Sequence, residues 1–361
     1  MLRPTLSRLS PSPTSTSQLL AIATFENGPA KPYNRFSMPI AVHSFAKINL
    51  GLRIGALRAD GFHELRTVYQ TIALHDVLRL SAVRGSGIEI RCPDPRVPTD
   101  SSNTCYRVVE CALQSLKAEA KVRIEIEKKL PVQGGLGGAS ANAVATLLAL
   151  ERALKKQISG PEKLRIVAEV GSDLPLFLVG GTILGLGRGE DVYPMPDLPA
   201  TPCVIATPAI GVSTPKAFAD WDLQQGRQKS AKLTGLSHSD RMIEFSRAVS
   251  AWLSGTSGVP GNKGRGRAET PLLDLVRTGI ENDFEQVVFP QHPDLREVKR
   301  ALEREGAFYA SLSGSGSAVY GLFRGRSAAV KAAGKLNASG IPATATSTLT
   351  RRQYWRRIFD C

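Results

Sequence analysis

The stretch PVQGGLGGASANAVATLLA, residues 131–149, changes from a glycine-rich turn to an alanine- and leucine-rich helix within a few residues. Before it, Val122, Ile124 and Ile126 alternate with charged residues, which predicts a half-buried strand. The glycines allow positive φ and let backbone N–H groups approach a ligand closely. Because the first turn of a helix presents further free N–H groups, this strand, loop and helix predict an anion site. The alternative is a tight strand-to-helix connection that binds nothing.

Two common glycine loops do not fit this stretch. A Walker A loop needs a lysine and then Ser or Thr directly after its last glycine, whereas Gly138 is followed by Ala139 and Ser140. The dinucleotide fingerprint needs a third glycine where Ser140 stands. An anion would therefore be held by backbone N–H groups, without a lysine from the loop itself.

Length and composition allow two sizeable cores. The chain has 361 residues, of which 42% are hydrophobic, and we predict two domains, residues 38–195 and 196–361. No apolar run reaches the length of about 18 residues that spans a membrane. The five cysteines form no C-x-x-C pair and do not cluster with the histidines: Cys92, Cys105, Cys111, Cys203 and Cys361. We therefore predict free thiols, a reducing compartment and no structural zinc.

The net charge of +14 leaves a non-enzyme alternative open, a basic RNA-binding protein. Such a protein would lose affinity steeply as the salt concentration rises. The excess charge lies largely in residues 229–232, 263–267 and 351–357, a distribution typical of solvated loops and tails. The positive charge would also attract an anionic substrate.

Two segments have the composition of irregular chain. Residues 1–37 are rich in Ser, Thr and Pro and are either a disordered tail, sequence upstream of a start at Met38, or an organellar transit segment. Residues 224–270 predict a flexible basic insertion, apart from the apolar-periodic piece MIEFSRAVSAWL. We expect a cytoplasmic protein, or one of the plastid stroma if residues 1–37 are a transit peptide.

Two charged residues stand in apolar surroundings. In FAKINLGLRI, residues 45–54, Lys47 and Asn49 lie on the same face of a predicted strand. A lysine there is costly to desolvate unless an anion pairs with it, and a solvent-facing edge is the alternative. Asp173 is the one acid in GSDLPLFLVGG, so that it either caps a helix or faces a cleft.

Local patterns predict further elements. Residues 67–74 and 77–83 form two strand-like runs, with a turn at His75 and Asp76. A helix follows Asn103, which is either its N-cap or a ligand contact.

The second half of the chain has similar local signals. Helices are predicted from Pro161 and near Thr214, and a strand over residues 203–212. Residues 281–285 are expected to cap a helix. Residues 311–318, SLSGSGSA, form a second glycine turn that feeds a strand, and a plain hairpin turn would explain it as well.

Taken together, these motifs resemble those of the GHMP kinases. AKINL together with RADGFHEL resembles the first motif of that family, with Phe62 in place of a tyrosine. The loop P-x3-G-L-G resembles the second motif, and SLSGSGSA resembles the third. GSDLPLF resembles the segment of the family's proposed base. The resemblance covers most of residues 44–323. It implies an α+β, two-domain GHMP kinase fold, with a ribosomal-protein-like N-terminal domain that contains a left-handed β-α-β unit and a ferredoxin-like C-terminal domain.

The resemblance also implies phosphoryl transfer from ATP to an alcohol, with Mg²⁺ on the phosphates. The most similar branch phosphorylates the 2-hydroxyl of a cytidine-diphosphate-linked methylerythritol, in the non-mevalonate route to isoprenoid precursors. Lys47 and Asp173 would then be catalytic, and the metal ligands stay unassigned. The substrate contacts would be Asn49, Phe62, His63, Thr214 and Phe218. The nucleotide contacts would be Asn103, Pro131, Val132, Gln133, Gly134, Gly135, Leu136, Gly137, Gly138, Ala139, Ser140 and Ala141.

Another small-alcohol GHMP kinase, of homoserine or mevalonate type, is the alternative within the family. Phe62, His63 and Phe218 favour a pyrimidine, which needs stacking surfaces that those substrates do not need, although Phe218 could equally be a core residue. Nucleic acid and membrane are not expected as partners, and a weak homodimer is compatible with the resemblance.

Overall fold

Two β-sheets organise the chain, of which the computed structural model describes residues 38–132, 134–230, 238–254 and 280–360. The strands of the first sheet are β1 (Ile40–Leu57), β2 (His63–Val83), β3 (Ile88–Arg91), β4 (Lys121–Glu127), β5 (Thr182–Leu186) and β6 (Asp191–Pro194). Their order is β3-β4-β2-β5-β6, and β1 pairs with β2. The described pairings are antiparallel except for β3 with β4.

The helices that accompany this sheet are α1 (Thr104–Ser115), α2 (Gly138–Leu154), α3 (Gly160–Val170) and α4 (Leu174–Val179). Because α1 joins the parallel strands β3 and β4, these three elements form the expected β-α-β unit, whose left-handed turn stays a prediction. Helix α2 is buried at every position from Ala141 to Glu151, since it contacts β1, β2, α1 and α4. Its small residues allow this close packing on all sides.

The second sheet consists of β7 (Pro202–Ala206), β8 (Tyr309–Leu312), β9 (Val319–Leu322) and β10 (Ala343–Ser347), all antiparallel in the order β10-β7-β9-β8. The later described helices are α5 (Thr214–Ser230), α6 (His238–Leu253), α7 (Glu285–Gln291), α8 (Pro293–Arg304), α9 (Arg326–Ala338) and α10 (Arg351–Arg357). With α5 after β7 and α9 before β10, the chain follows the ferredoxin-like β-α-β-β-α-β order. The α+β class is therefore confirmed, while the boundary near residue 195 stays a prediction.

The predicted turn at His75 and Asp76 is wrong, because β2 runs unbroken through both residues. His75 pairs with Phe45 in the ladder between β1 and β2. Asp76 is fully buried and accepts hydrogen bonds from the backbone N–H groups of Lys129 and Leu130. Donors from a distant part of the chain therefore let a carboxylate remain inside a strand.

The predicted strand over residues 203–212 is too long, since β7 ends at Ala206. Pro208 lacks the N–H group that a strand ladder needs. The strand is thus half as long as its apolar pattern indicates.

Parts of the predicted flexible insertion are helical. Residues 224–230 continue α5, and α6 buries Met242, Phe245 and Val249. The contacts of α6 with β1 make it part of the core. The predictions for residues 1–37 and for the remainder of the insertion lie outside the described residues.

Four described cysteines have free thiols, Cys92, Cys105, Cys111 and Cys203, and Cys361 lies outside the described residues. Burial raises the pKa of the Cys105 thiol to about 12. None of the described helices combines the length and the apolar content needed to cross a membrane.

Candidate active site

The glycine loop runs from the end of β4 to the start of α2, as its sequence predicts. Gly135 and Gly137 have φ values of 72° and 68°, which favour glycine. A Cβ on Gly135 would lie 2.0 Å from the carbonyl oxygen of Ser313, and one on Gly137 would lie 3.1 Å from Cγ of Lys47. Close contacts on both sides of the loop therefore exclude larger residues.

The loop borders a cavity of about 340 Å³, which receives most of the predicted nucleotide residues. Ala141 is buried in α2 outside the cavity lining, and Gln133 lies outside the described residues. Lys128 and Asn142 also line the cavity. Sequence reasoning missed Lys128, although it directly follows β4, and it expected only backbone N–H groups near Asn142. The predicted residues in the lining are Asn103, Pro131, Val132, Gly134, Gly135, Leu136, Gly137, Gly138, Ala139 and Ser140.

Asn103 has a structural role as well as a place in this cavity. Its Oδ1 accepts a hydrogen bond of 2.8 Å from the N–H group of Cys105, so that it is the N-cap of α1. Its Nδ2 donates to the carbonyl of Pro98 at 2.6 Å. The N-cap interpretation is confirmed, and a contact with the nucleotide base stays a prediction.

The second glycine turn, between β8 and β9, packs directly on the first. Ser313 Oγ donates to the carbonyl of Gly135 at 2.9 Å. The N–H group of Ala318 donates to the carbonyl of Gly134 at 3.1 Å. Two loops that are far apart in the sequence thus form one wall.

The segment 281–285 caps the start of α7, as predicted, and also anchors this second turn. Asn282 Oδ1 accepts a hydrogen bond of 3.0 Å from the N–H group of Phe284, the residue directly before α7. Asn282 Nδ2 donates to the carbonyls of Leu312 and Gly314, each at 2.8 Å. Glu285 accepts from the N–H group of Leu312 at 2.9 Å. The side chains bind the turn because its backbone groups are buried and need partners.

Lys47 on β1 and Asp173 at the start of α4 are brought together. Lys47 Nζ lies 3.5 Å from Asp173 Oδ2 and donates to Asn49 Oδ1 at 2.7 Å. The side chain of Lys47 is 4% exposed and that of Asp173 is 35% exposed, so the carboxylate still reaches solvent. Tyr69 OH donates to Asp173 Oδ1 at 3.1 Å, and burial together with Asp173 raises the pKa of Tyr69 well above its ordinary value. Tyr69 therefore stays a donor at neutral pH.

Lys47 lies against both glycine turns. Its N–H group donates to the carbonyl of Leu136 at 3.0 Å. A Cβ on Gly314 would lie 3.4 Å from Lys47 Nζ. Asn49 accepts from Lys47 and donates to Thr67 Oγ1 at 2.8 Å, so that its amide supports the lysine from behind. An ammonium group, a carboxylate and two turns rich in N–H groups converge here.

The predicted substrate residues do not all meet. His63 stacks on Phe218, with ring centroids 4.9 Å apart and an interplanar angle of 8°. Phe62 is 50% exposed and its ring lies beneath the guanidinium of Arg188, at 4.9 Å. Thr214 Oγ1 lies 2.7 Å from Ser315 Oγ in the second glycine turn.

His63 has a carboxylate partner that sequence reasoning missed. Its Nε2 lies 2.9 Å from Asp222 Oδ1. Asp222 follows Phe218 by four positions on α5, the spacing that places two side chains on one helix face. One helix therefore supplies both the ring that stacks on His63 and the carboxylate that orients it.

Family comparisons match both parts of the chain. The sequence model of the GHMP kinases N terminal domain matches residues 103–181, and that of the GHMP kinases C terminal domain matches residues 269–341. A 4-diphosphocytidyl-2-C-methyl-D-erythritol kinase of Solibacter usitatus is 36% identical over 323 residues, which cover 88% of this chain and 92% of that protein. The enzyme of the same name from Acaryochloris marina is 34% identical over 288 residues, 79% of this chain and 87% of that protein.

Solved structures show the same architecture. A crystal structure of 4-(cytidine 5'-diphospho)-2C-methyl-D-erythritol kinase has a TM-score of 0.65 and 28% identity, with 85% of this chain and 98% of that chain covered. A homoserine kinase from Cytophaga hutchinsonii, at 21% identity and a TM-score of 0.61, covers 87% of this chain and 96% of its own. The homoserine kinase supports the fold alone.

Proposed function

The chain belongs to the 4-diphosphocytidyl-2-C-methyl-D-erythritol kinases of the GHMP family, and we propose how its residues perform the reaction. The enzyme transfers a phosphoryl group from ATP to the 2-hydroxyl of 4-diphosphocytidyl-2-C-methyl-D-erythritol and forms the 2-phosphate. The product belongs to the non-mevalonate route to isoprenoid precursors. The residue roles below rest on the geometry around Lys47.

The contact between Lys47 and Asp173 carries the mechanism. Asp173 takes or steers the proton of the attacking hydroxyl, and a general base contributes roughly 10² to 10⁴ in rate. Lys47 lies beside this carboxylate and stabilises the alkoxide that develops as the hydroxyl attacks. Tyr69 donates to the other carboxylate oxygen and fixes its orientation. The partial exposure of Asp173 leaves one edge of its carboxylate accessible to an acceptor alcohol.

The glycine turns supply the electrostatic part of the site. Backbone N–H groups at the start of α2 bind phosphate oxygens, as helix N-termini do. In the described chain no group of three acids, histidines or cysteines is arranged to hold a metal by itself. This fits Mg²⁺, which usually takes one or two carboxylates plus substrate phosphates. The metal would neutralise charge on the phosphates, and its protein ligands stay unassigned.

His63 and Phe218 suit recognition of the cytosine. Their rings already stack, and aromatic surfaces of this kind bind a planar base. Carbon atoms in contact lie about 3.5 to 4.0 Å apart, so a base inserted between the two rings would require the rings to be about 7 Å apart. Their centroids are only 4.9 Å apart. The cytosine therefore either stacks on an outer face of the pair or displaces His63 from Phe218.

A coupled ADP-release assay over several alcohols tests this proposal. We expect turnover with 4-diphosphocytidyl-2-C-methyl-D-erythritol and none above background with homoserine or mevalonate. Cytidine diphosphate should inhibit in competition with the alcohol and not with ATP. Turnover of homoserine or mevalonate, or indifference to cytidine diphosphate, would exclude the proposed substrate.

A further inference from the structure

A fully buried carboxylate lies behind the glycine loop, and neither the sequence motifs nor the mechanism above use it. Asp76 is in the middle of β2 and is 0% exposed. Its Oδ1 accepts hydrogen bonds from the N–H groups of Lys129 and Leu130, both at 2.7 Å. Its Oδ2 accepts from Lys128 Nζ at 2.6 Å and from Asn142 Nδ2 at 3.1 Å. Four donors therefore satisfy one buried charge.

These donors come from the two ends of the glycine loop. Lys128, Lys129 and Leu130 directly precede the loop, and Asn142 is in the first turns of α2, directly after it. A single side chain thus connects the segment that enters the loop with the helix that leaves it. Bonds to an ionised group are about twice as strong as neutral ones, so this connection is stiff.

The contact with Asp76 also decides how Asn142 is oriented. A carboxylate only accepts hydrogen bonds, so the amide nitrogen of Asn142 must face it. The amide oxygen is buried and has no hydrogen-bond partner among the described residues. The carboxylate therefore sets the amide orientation even though the oxygen loses a partner.

Lys128 connects this carboxylate with the nucleotide cavity. Its side chain is 10% exposed, and it lines the same cavity as the loop. A lysine has three N–H donors, so that one can bond to Asp76 while others face a ligand. Without the carboxylate, the ammonium group would have many more conformations to lose when a ligand binds.

We propose that Asp76 is a positioning residue of the nucleotide site, which fixes the separation of the loop ends and the direction of Lys128 before the nucleotide binds. This proposal rests on the proposed function of the loop as the ATP site. Asp76 itself touches no nucleotide. It reduces the conformational entropy that Lys128 and the loop would otherwise lose when the nucleotide binds.

The test compares Asp76→Asn with Glu151→Gln in the full chain. Glu151 is a matched control, because it is a buried carboxylate on α2, the helix that Asp76 contacts through Asn142. It accepts from one lysine, Lys163 at 2.9 Å, and from one backbone N–H group, that of Ile158 at 2.6 Å. It lies near the other end of α2, away from the cavity lining. Calorimetric titration with ADP gives Kd, and steady-state assays give KM for ATP and for the acceptor alcohol.

For Asp76→Asn we expect Kd for ADP and KM for ATP to rise about tenfold to a hundredfold, the loss typical of hydrogen bonds to a charged group. KM for the alcohol should stay within about threefold. Glu151→Gln should lower the melting temperature and leave Kd for ADP unchanged. A purely structural role for Asp76 predicts instead that both variants lower the melting temperature and keep wild-type Kd.

The outcomes separate this proposal from the proposed function. If the wild-type protein binds no ADP, the assignment of the loop as an ATP site is wrong. If the wild type binds ADP and Asp76→Asn binds it equally well, the role of Asp76 alone is refuted. Should Asp76→Asn fail to fold, Asn142→Ala removes the tie to α2 and keeps the bond to Lys128, and an unchanged Kd in that variant overturns the proposal.

Discussion

Replacing Asp173 by asparagine tests the catalytic pair most directly, because the change keeps the size of the side chain and removes only its charge and basicity. Lys47 retains its hydrogen bond to Asn49 at 2.7 Å, and the amide oxygen introduced in Asp173→Asn can still accept from Lys47. We therefore expect the variant to fold and to bind ADP with nearly wild-type affinity. Its kcat should fall by a factor of about 10² to 10⁴, the usual contribution of a general base.

The geometry indicates that the loss of rate exceeds the loss of stability. Two unit charges 3.5 Å apart interact by about 5 kcal/mol at an effective dielectric constant of about 20. Since the carboxylate is 35% exposed, solvent screening reduces this to about 1 kcal/mol of net stability. A rate loss of 10² to 10⁴ corresponds to about 3 to 5 kcal/mol of transition-state stabilisation. The variant should thus be almost as stable as the wild type and nearly inactive.

The assay measures coupled ADP release, with thermal unfolding and ADP titration on the same preparation. Tyr69→Phe is the comparison variant, because it removes one hydrogen bond to the carboxylate and keeps the charge pair. We expect its kcat to fall by about tenfold, the effect of one hydrogen bond to a charged group. Turnover of Asp173→Asn within about threefold of the wild type, in a folded protein that binds ADP, would refute the role of Asp173.

Three further predictions concern the loops, the base site and the pH dependence. Gly135→Ala should destabilise the protein and abolish ADP binding in a titration, because the new Cβ would lie 2.0 Å from the carbonyl oxygen of Ser313 and φ there is 72°. Phe218→Ala removes one stacking contact and should raise KM for the cytidine substrate by about tenfold, while KM for ATP stays unchanged. Phe62→Ala truncates a ring that is 50% exposed, so it should raise KM for the cytidine substrate less. Burial and nearby positive charge lower the pKa of His75 in the folded protein below its ordinary value of 6.5. The unfolded chain therefore binds more protons near pH 6.5, and the free energy of unfolding falls as the pH drops through that value. In His75→Gln, the slope of the unfolding free energy against pH, measured by urea unfolding, should decrease by up to about 1.4 kcal/mol per pH unit.

The sequence alone was sufficient for features whose causes are local. The alternation at Val122, Ile124 and Ile126 predicted β4, and the glycine run after it predicted the loop and the start of α2. Lys47 and Asp173 stood out because a charge in an apolar run needs a partner, and the family resemblance then favoured the catalytic role over an edge or a cap. In the structure each is the partner of the other. Such arguments require only a few neighbouring residues, so a linear reading suffices.

Features that depend on donors far along the chain were missed. Asp76 looked like a turn residue because its partners, Lys129 and Leu130, lie more than fifty positions away. The helix cap at residues 281–285 was predicted, but the second role of Asn282, which also binds the second glycine turn, was missed for the same reason. A polar residue therefore has the same local signature whether it faces water or a buried backbone group.

The aromatic site illustrates why adjacency in sequence does not imply adjacency in a binding site. His63 is the first residue of β2, whereas Phe62 belongs to the turn before it, and successive side chains on a strand point to opposite sides. Only His63 therefore faces Phe218, and Phe62 lies under Arg188 instead. Because stacking accepts any planar base, the preference for cytidine has to come from the polar edge of that pair. His63 supplies this edge, and its orientation depends on the carboxylate that α5 presents beside Phe218.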